Sequence, residues 1–249
     1  MGHQGLLPST GRSPFLHVSI ETLIDRFPDL RIAVVVAGDL SILETASPAL
    51  ADEIAAIEAK ATARFADVGM GDIPGVADWR RAYRAFGIKK TSYRCSVERL
   101  IRKTLRDGAL ARINPFVDAY NAVSLKHVFP LGADDLDNIA GDICFRQSQE
   151  GDTFYALGQA PAENDPPKPG EVVYADDEKV LCRRWNWYQD ARSPVTTSTT
   201  RAVVTIQSLG SGDLAAAVDD LERLIRDHFA AQTGTTILSI DEPMATLPI

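Results

Sequence analysis

Two stretches of the chain combine residue types that do chemistry with a spacing that would bring them together. In R-I-N-P-F-V-D-A-Y-N, residues 112–121, the side chains of Asn114, Asp118 and Asn121 stand at relative positions 0, 4 and 7. On an α-helix that spacing puts all three on one face. Asn114 followed by Pro115 is a helix start, because the Asn side chain accepts an orphan backbone N–H and proline has no N–H to leave unpaired. The stripe has two open readings. It is a cap with two solvated polar residues, or it is buried and needs partners, of which a ligand is one.

The second stretch is C-R-R-W-N-W-Y-Q-D-A-R-S-P-V-T-T-S-T-T, residues 182–200. Guanidinium groups beside indole rings, carboxamides and hydroxyls are what a pocket for a small polar–apolar ligand uses. A Trp and Tyr cluster closing the end of a sheet explains the aromatics equally well, but not the four consecutive hydroxyls at 196–199. Carboxylates able to act as bases or to orient water are Asp118, Glu171 and Asp176, none with a diagnostic partner in sequence. Of the four histidines only His127 lies near the polar helix. There is no Gly-x-Ser-x-Gly elbow, HExxH or P-loop, and the three cysteines are widely spaced. No metal centre, cofactor or nucleophilic triad is implied.

Charge supplies a further signal. The net charge of −8 argues against indiscriminate nucleic-acid binding and gives no reason to expect DNA as a partner. Yet residues 79–112 hold eleven basic side chains against Glu98 and Asp107, which is +9 and leaves −17 for the rest. Such an island either is simply solvated or holds a phosphate backbone locally. Within it, Arg99, Arg102, Lys103 and Arg106 follow a helical period.

These residues need elements to position them. Trp79, Ala82, Tyr83 and Phe86 mark an amphipathic helix stopped by Gly87, and their aromatics read as core. Ser96 reads as the cap of a second helix ending at Gly108, with its basic residues outward. The polar helix from Asn114 follows. Earlier, 17–20 and 31–37 read as strands, the second buried on both faces, and 47–65 as a helix. Later, 141–146, 153–157, 171–174, 179–184 and 202–207 read as strands, 212–231 as a helix, and 235–249 as a weakly structured tail. Helices first and strands later make an α+β domain. The expected division is a disordered tail over 1–16, a domain over 17–234 and a C-terminal tail over 235–249. At 45% hydrophobic and 24% charged, with no apolar run near the ~20 residues of a membrane span, the chain reads as soluble. The polar N-terminus has no hydrophobic core of a signal peptide, so the expected location is the cytoplasm, with no membrane partner.

I-N-P-F-V-D-A-Y-N (113–121) followed by P-L-G-A-D-D-L-D-N-I-A-G (130–141) resembles the B3/B4 domain of the phenylalanyl-tRNA synthetase beta subunit, the module that hydrolyses mischarged aminoacyl-tRNA. G-E-V-V-Y-A-D (170–176) and the strand after Thr200 fit the same pattern. The opening W-R-x-A-Y-x-x-F-G from Trp79 and the C-R-R-W-N-W signature are similar to free-standing members of that group. The resemblance implies a single B3/B4-like domain with a mixed or antiparallel sheet flanked by helices. It implies a stand-alone, trans-acting aminoacyl-tRNA deacylase-like, RNA-binding protein, or a non-catalytic amino-acid or metabolite binder on a retired editing fold. On the first reading Arg99, Arg102, Lys103 and Arg106 hold the tRNA. Asn114, Asn121, Arg183, Arg184, Trp185, Asn186 and Thr199 take the aminoacyl group, and Asp118 and Glu171 serve catalysis. Two departures stand out: the family's editing histidine after Pro130-Leu131 is Gly132 here, and its strand glutamate aligns with Gln207.

Overall fold

The strand read at 31–37 lies at the centre of the protein. In the computed structural model, which describes residues 13–89, 92–160 and 163–249, β2 runs Leu30–Gly38 and is buried from Ile32 to Ala37. Its β-branched run favours extended backbone, and cover on both faces removes the usual polar alternation. Leu131–Asp135 (β3), Ala202–Leu209 (β8) and Gln232–Leu238 (β9) join it in an antiparallel sheet of order β3-β8-β2-β9. Alternate residues of β2 enter two different cores. Ile32, Val34 and Val36 face one side, Ala33, Val35 and Ala37 the other, as the two-residue period of a strand demands.

On the second side pack three helices, Pro48–Phe65 (α1), Pro115–His127 (α4) and Leu214–Phe229 (α5). Ser47 caps α1 by accepting the Leu50 N–H at 3.2 Å. The first side faces another sheet. It is built from Phe15–Ser19 (β1), Ile143–Gln147 (β4), Val172–Ala175 (β5), Val180–Arg183 (β6), Tyr188–Gln189 (β7) and Met244–Pro248 (β10), in the order β10-β1-β4-β5-β6-β7. Only β1 and β4 run parallel within it. The helices Pro74–Ala85 (α2) and Ser96–Asp107 (α3) pack beside this first core. The fold is α+β, with helices flanking mixed and antiparallel sheets. Among the described residues no helix is long and apolar enough to cross a membrane.

Several expectations are corrected. The stretch 235–249 is ordered: β9 pairs along β2 from Ile32 to Gly38, and β10 pairs along all of β1. Its sequence carries little apolar pattern because the order comes from backbone bonds to strands already in place. Of the expected N-terminal tail, residues 1–12 lie outside the described residues, and β1 begins at Phe15. The strand read at 153–157 is reduced to isolated bridges at Tyr155 and Ala156. Ser96 is the first residue of α3 and not its cap. Cys95 holds the cap position without a side-chain bond, and the Ser96 hydroxyl is buried with no hydrogen-bond partner among the described residues.

Candidate functional site

Where the two sheets face each other beside α3, they leave a cavity of about 630 Å³. Strand register builds its walls. Gly132 lies opposite Thr205 in the β3–β8 ladder, and the two-residue period adds Asp134 and Gln207 to the same face. From the other sheet, Tyr174, Cys182 and Gln189 stand in line across β5, β6 and β7. All seven line the cavity, together with Asn121 and Tyr120 of α4 and Asn186. The Gln189 amide ties the sheets together, donating to the Ala133 carbonyl at 2.7 Å and to Asp134 Oδ1 at 3.1 Å.

Asp134 is the one carboxylate on the described lining. It is 2% exposed and accepts the Ser193 hydroxyl at 2.7 Å on the same Oδ1 that Gln189 reaches. No cation among the described residues bonds it. Burial therefore pushes its pKa up to about 6, against the lowering effect of its hydrogen bonds. Across from it the Tyr174 hydroxyl is buried beside Asp134, and burial, then the Asp134 charge and the contact with its carboxylate, hold it protonated. Burial, then Asp134, pushes the Cys182 thiol up to about 12, so no thiolate nucleophile forms there near neutral pH. What the arrangement offers is a carboxylate able to exchange a proton near neutrality.

One polar chain crosses the wall. The Tyr83 hydroxyl donates to Asn186 Oδ1 (2.9 Å), Asn186 Nδ2 donates to Gln207 Oε1 (2.9 Å), and Gln207 Nε2 donates to Thr205 Oγ1 (3.3 Å). Gln207 fits because an amide both accepts and donates. At Gly132 a Cβ would meet nothing within 4 Å, so the cavity is widened on that side.

Over the cavity lies the basic stripe of α3. Arg94, Arg99, Arg102, Lys103 and Arg106 all line it. Arg99 donates to the Trp187 carbonyl at 2.6 Å and lies over the Tyr188 ring. Lys103 and Arg106 pair with Asp107, and Arg102 Nε donates to Glu98 at 2.9 Å. The stripe is thus both surface and cavity wall.

The remaining residues singled out in sequence lie elsewhere, and local contacts explain why. Asn114 caps α4 by accepting the Val117 N–H at 3.0 Å and spends its amide on the Val195 carbonyl. Asp118 accepts the Ile113 N–H at 2.9 Å outside the cavity lining, and burial raises its pKa despite that bond and Arg112 nearby. Glu171 is buried under the Arg183 guanidinium, which donates to it at 2.9 and 3.2 Å, with Arg184 at 3.5 Å. Arg184 lies against the rings of both Tyr93 and Trp187, at 3.9 and 4.4 Å, in the angle of their edge-to-face pair. Left-handed backbone at Arg184 and Trp185 turns the indole inward onto Phe27 and Trp79, with centroids at 4.8 and 5.0 Å. Thr199 donates to Asp135 at 2.7 Å and pins a loop. From the aminoacyl and catalytic sets, only Asn121 and Asn186 reach the cavity, and the four α3 cations join them there. Sequence reading missed Asp134, Tyr174 and Gln189. The only trace of Asp134 was the alternation of Gly132 and Asp134 in L-G-A-D-D.

Comparison with known proteins bears on the same region. The B3/4 domain family matches residues 78–220. The phenylalanine–tRNA ligase beta subunit of Methylococcus capsulatus (strain ATCC 33009 / NCIMB 11132 / Bath) is 33% identical over 88 residues, 35% of this chain and 11% of that subunit. The chain therefore matches about a tenth of the length of that relative. Among solved structures, an N-terminal fragment of the phenylalanyl-tRNA synthetase beta subunit from Pyrococcus horikoshii aligns with a TM-score of 0.44 and 11% identity, over 87% of this chain and 49% of that one. The family match spans more than half of the chain and takes in α3, β3, β5, β6 and β8, so this protein belongs to the B3/4 domain family.

Proposed function

We propose that the protein hydrolyses the ester of an aminoacyl-tRNA, acting apart from a synthetase. The observation that carries this reading is the meeting of a buried carboxylate, Asp134, that no described cation hydrogen-bonds, with the cationic stripe of α3 around one cavity. The stripe suits the phosphate backbone of the tRNA, and the cavity suits the aminoacyl group. Family membership and the partial identity to a phenylalanine–tRNA ligase beta subunit support the choice of substrate class.

The base role passes from Asp118 and Glu171 to Asp134, because the first two are spent on a backbone N–H and on Arg183. Asp134 takes a proton from water as the water oxygen bonds to the ester carbonyl carbon. When the carbon–oxygen bond to the ribose breaks, the proton passes to the departing ribose oxygen, leaving a free amino acid and the tRNA. Asn121 lines the cavity with its amide unspent on any described residue and serves as a donor to the oxyanion. A second reading rests on the same opposition of charges: a free amino acid would place its ammonium on Asp134 and its carboxylate on the α3 cations, with no turnover.

Deacylation of a panel of mischarged tRNAs tests the two together. The expected result is turnover of one or a few esters, reduced by at least about tenfold in Asp134→Asn. No turnover across the panel, combined with calorimetric binding of free amino acids, would favour the second reading.

A further inference from the structure

A second cavity, of about 460 Å³, opens between α2 and α3. Five cations line it, Arg80, Arg84, Lys89, Arg94 and Arg102, against a single carboxylate, Glu98. Glu98 is fully buried, and burial opposes its charge, yet hydrogen bonds from Arg80 and Arg102 outweigh that and hold it ionised. Arg80 grips it with two bonds, at 2.9 and 2.7 Å. Arg102 reaches it only through Nε, at 2.9 Å, and Arg94 approaches through Nε at 3.1 Å.

The terminal nitrogens of Arg94 and Arg102 make no hydrogen bond to any described residue. Each guanidinium has five N–H donors in a planar fork. One buried carboxylate therefore fixes two forks by their stems and leaves their ends free, a geometry matched to a bidentate oxyanion. Arg84 and Lys89 add two further charges with no described partner, so the cavity carries a surplus of four positive charges over its single carboxylate. Arg94 and Arg102 also line the inter-sheet cavity, which makes them the junction between the two. Beside the junction, Arg184 lies against both Tyr93, on the wall of the second cavity, and Trp187, on the wall of the first.

We propose that the α2–α3 cavity is a phosphate site, in which Arg94 and Arg102, anchored by Glu98, close on a phosphate oxyanion next to the inter-sheet cavity. The oxyanion comes either from an RNA strand whose 3′ end enters that cavity, which rests on the function proposed above, or from a free phosphate compound. Either source meets the same forks.

Two titrations separate the sources and use no acylated substrate, so they stand whether or not any ester is hydrolysed. A short, unacylated single-stranded RNA ending in C-C-A is followed by fluorescence anisotropy at several salt concentrations, and pyrophosphate is followed by calorimetry. The variants are Arg94→Ala with Arg102→Ala, and Arg84→Ala with Lys89→Ala. The second pair removes only side chains without a described partner, so it leaves the Glu98 cluster and the fold intact. If a strand fills the site, both variants bind RNA about tenfold or more weakly, and the slope of log K against log salt falls by roughly 0.7 for each phosphate no longer neutralised. If a free compound fills it, pyrophosphate binding falls about tenfold while RNA binding holds. Folded variants that keep wild-type affinity for both probes, or a wild type that binds neither, would overturn the site.

Discussion

Asp134 is the base of the proposed reaction, and its burial also costs stability. Its carboxyl binds a proton more tightly in the folded protein than in the unfolded chain, with a pKa of about 6 against the ordinary 3.8. The folded state therefore holds the extra proton between those values, and stability falls as pH rises through that window. Above it the cost is on the order of 3 kcal/mol. Asn at this position keeps an oxygen for Ser193 and Gln189, both of which bond Oδ1 alone. Asp134→Asn is accordingly predicted to be more stable than wild type at pH 8 by about 1–3 kcal/mol in urea unfolding, and no more stable at pH 4. An equal gain at both values would mean that the carboxylate is solvated, not buried and unpaired.

The elements explain which residues sequence could place and which it could not. Periodicity suffices where one face is buried: β2, α2, α3 and α5 each follow the apolar pattern of their sequence. It fails for the site, because the site is a product of register. Asp134 reaches the cavity only through the pairing of β3 with β8, and Tyr174 only through its alignment with Cys182 and Gln189. The β3–β8 pairing joins segments far apart in sequence, and although β5, β6 and β7 pair as successive hairpins, which of their faces meets the other sheet is not decided locally. The C-R-R-W-N-W signature was legible as unusual, yet most of it is structural. Trp185 fills the aromatic core between Phe27 and Trp79, and Arg183 neutralises Glu171. Cys182, Asn186 and Trp187 line the cavity, and the Asn186 amide depends on Gln207. Gln207→Leu would leave the buried Asn186 Nδ2 without an acceptor. Chemical denaturation should register a destabilisation of about 1–3 kcal/mol, and a neutral result would mean that the polar chain does not hold the wall.

At the scale of the whole molecule, charge separates two surfaces. Residues 79–112 carry +9 while the remainder carries −17. α3 turns this local excess toward the inter-sheet cavity, and α2 turns it toward the second one. The acidic remainder repels a polyanion, so under the proposed function an RNA would be confined to the basic face and its binding would weaken with salt. The division of charge was visible in sequence, but the buried Glu98 that organises its arginines was not. A lone acid in a basic run reads as one more solvated charge until its burial is known.

The measurement that most directly tests the role of Asp134 is the pH profile of single-turnover hydrolysis of the best mischarged tRNA, corrected for spontaneous deacylation. The rate is predicted to rise through about pH 6 as Asp134 loses its proton and then to level, and the profile of Asp134→Asn to be lower throughout and to lack the step. A step that persists unchanged in Asp134→Asn would contradict that role and move the chemistry to another group.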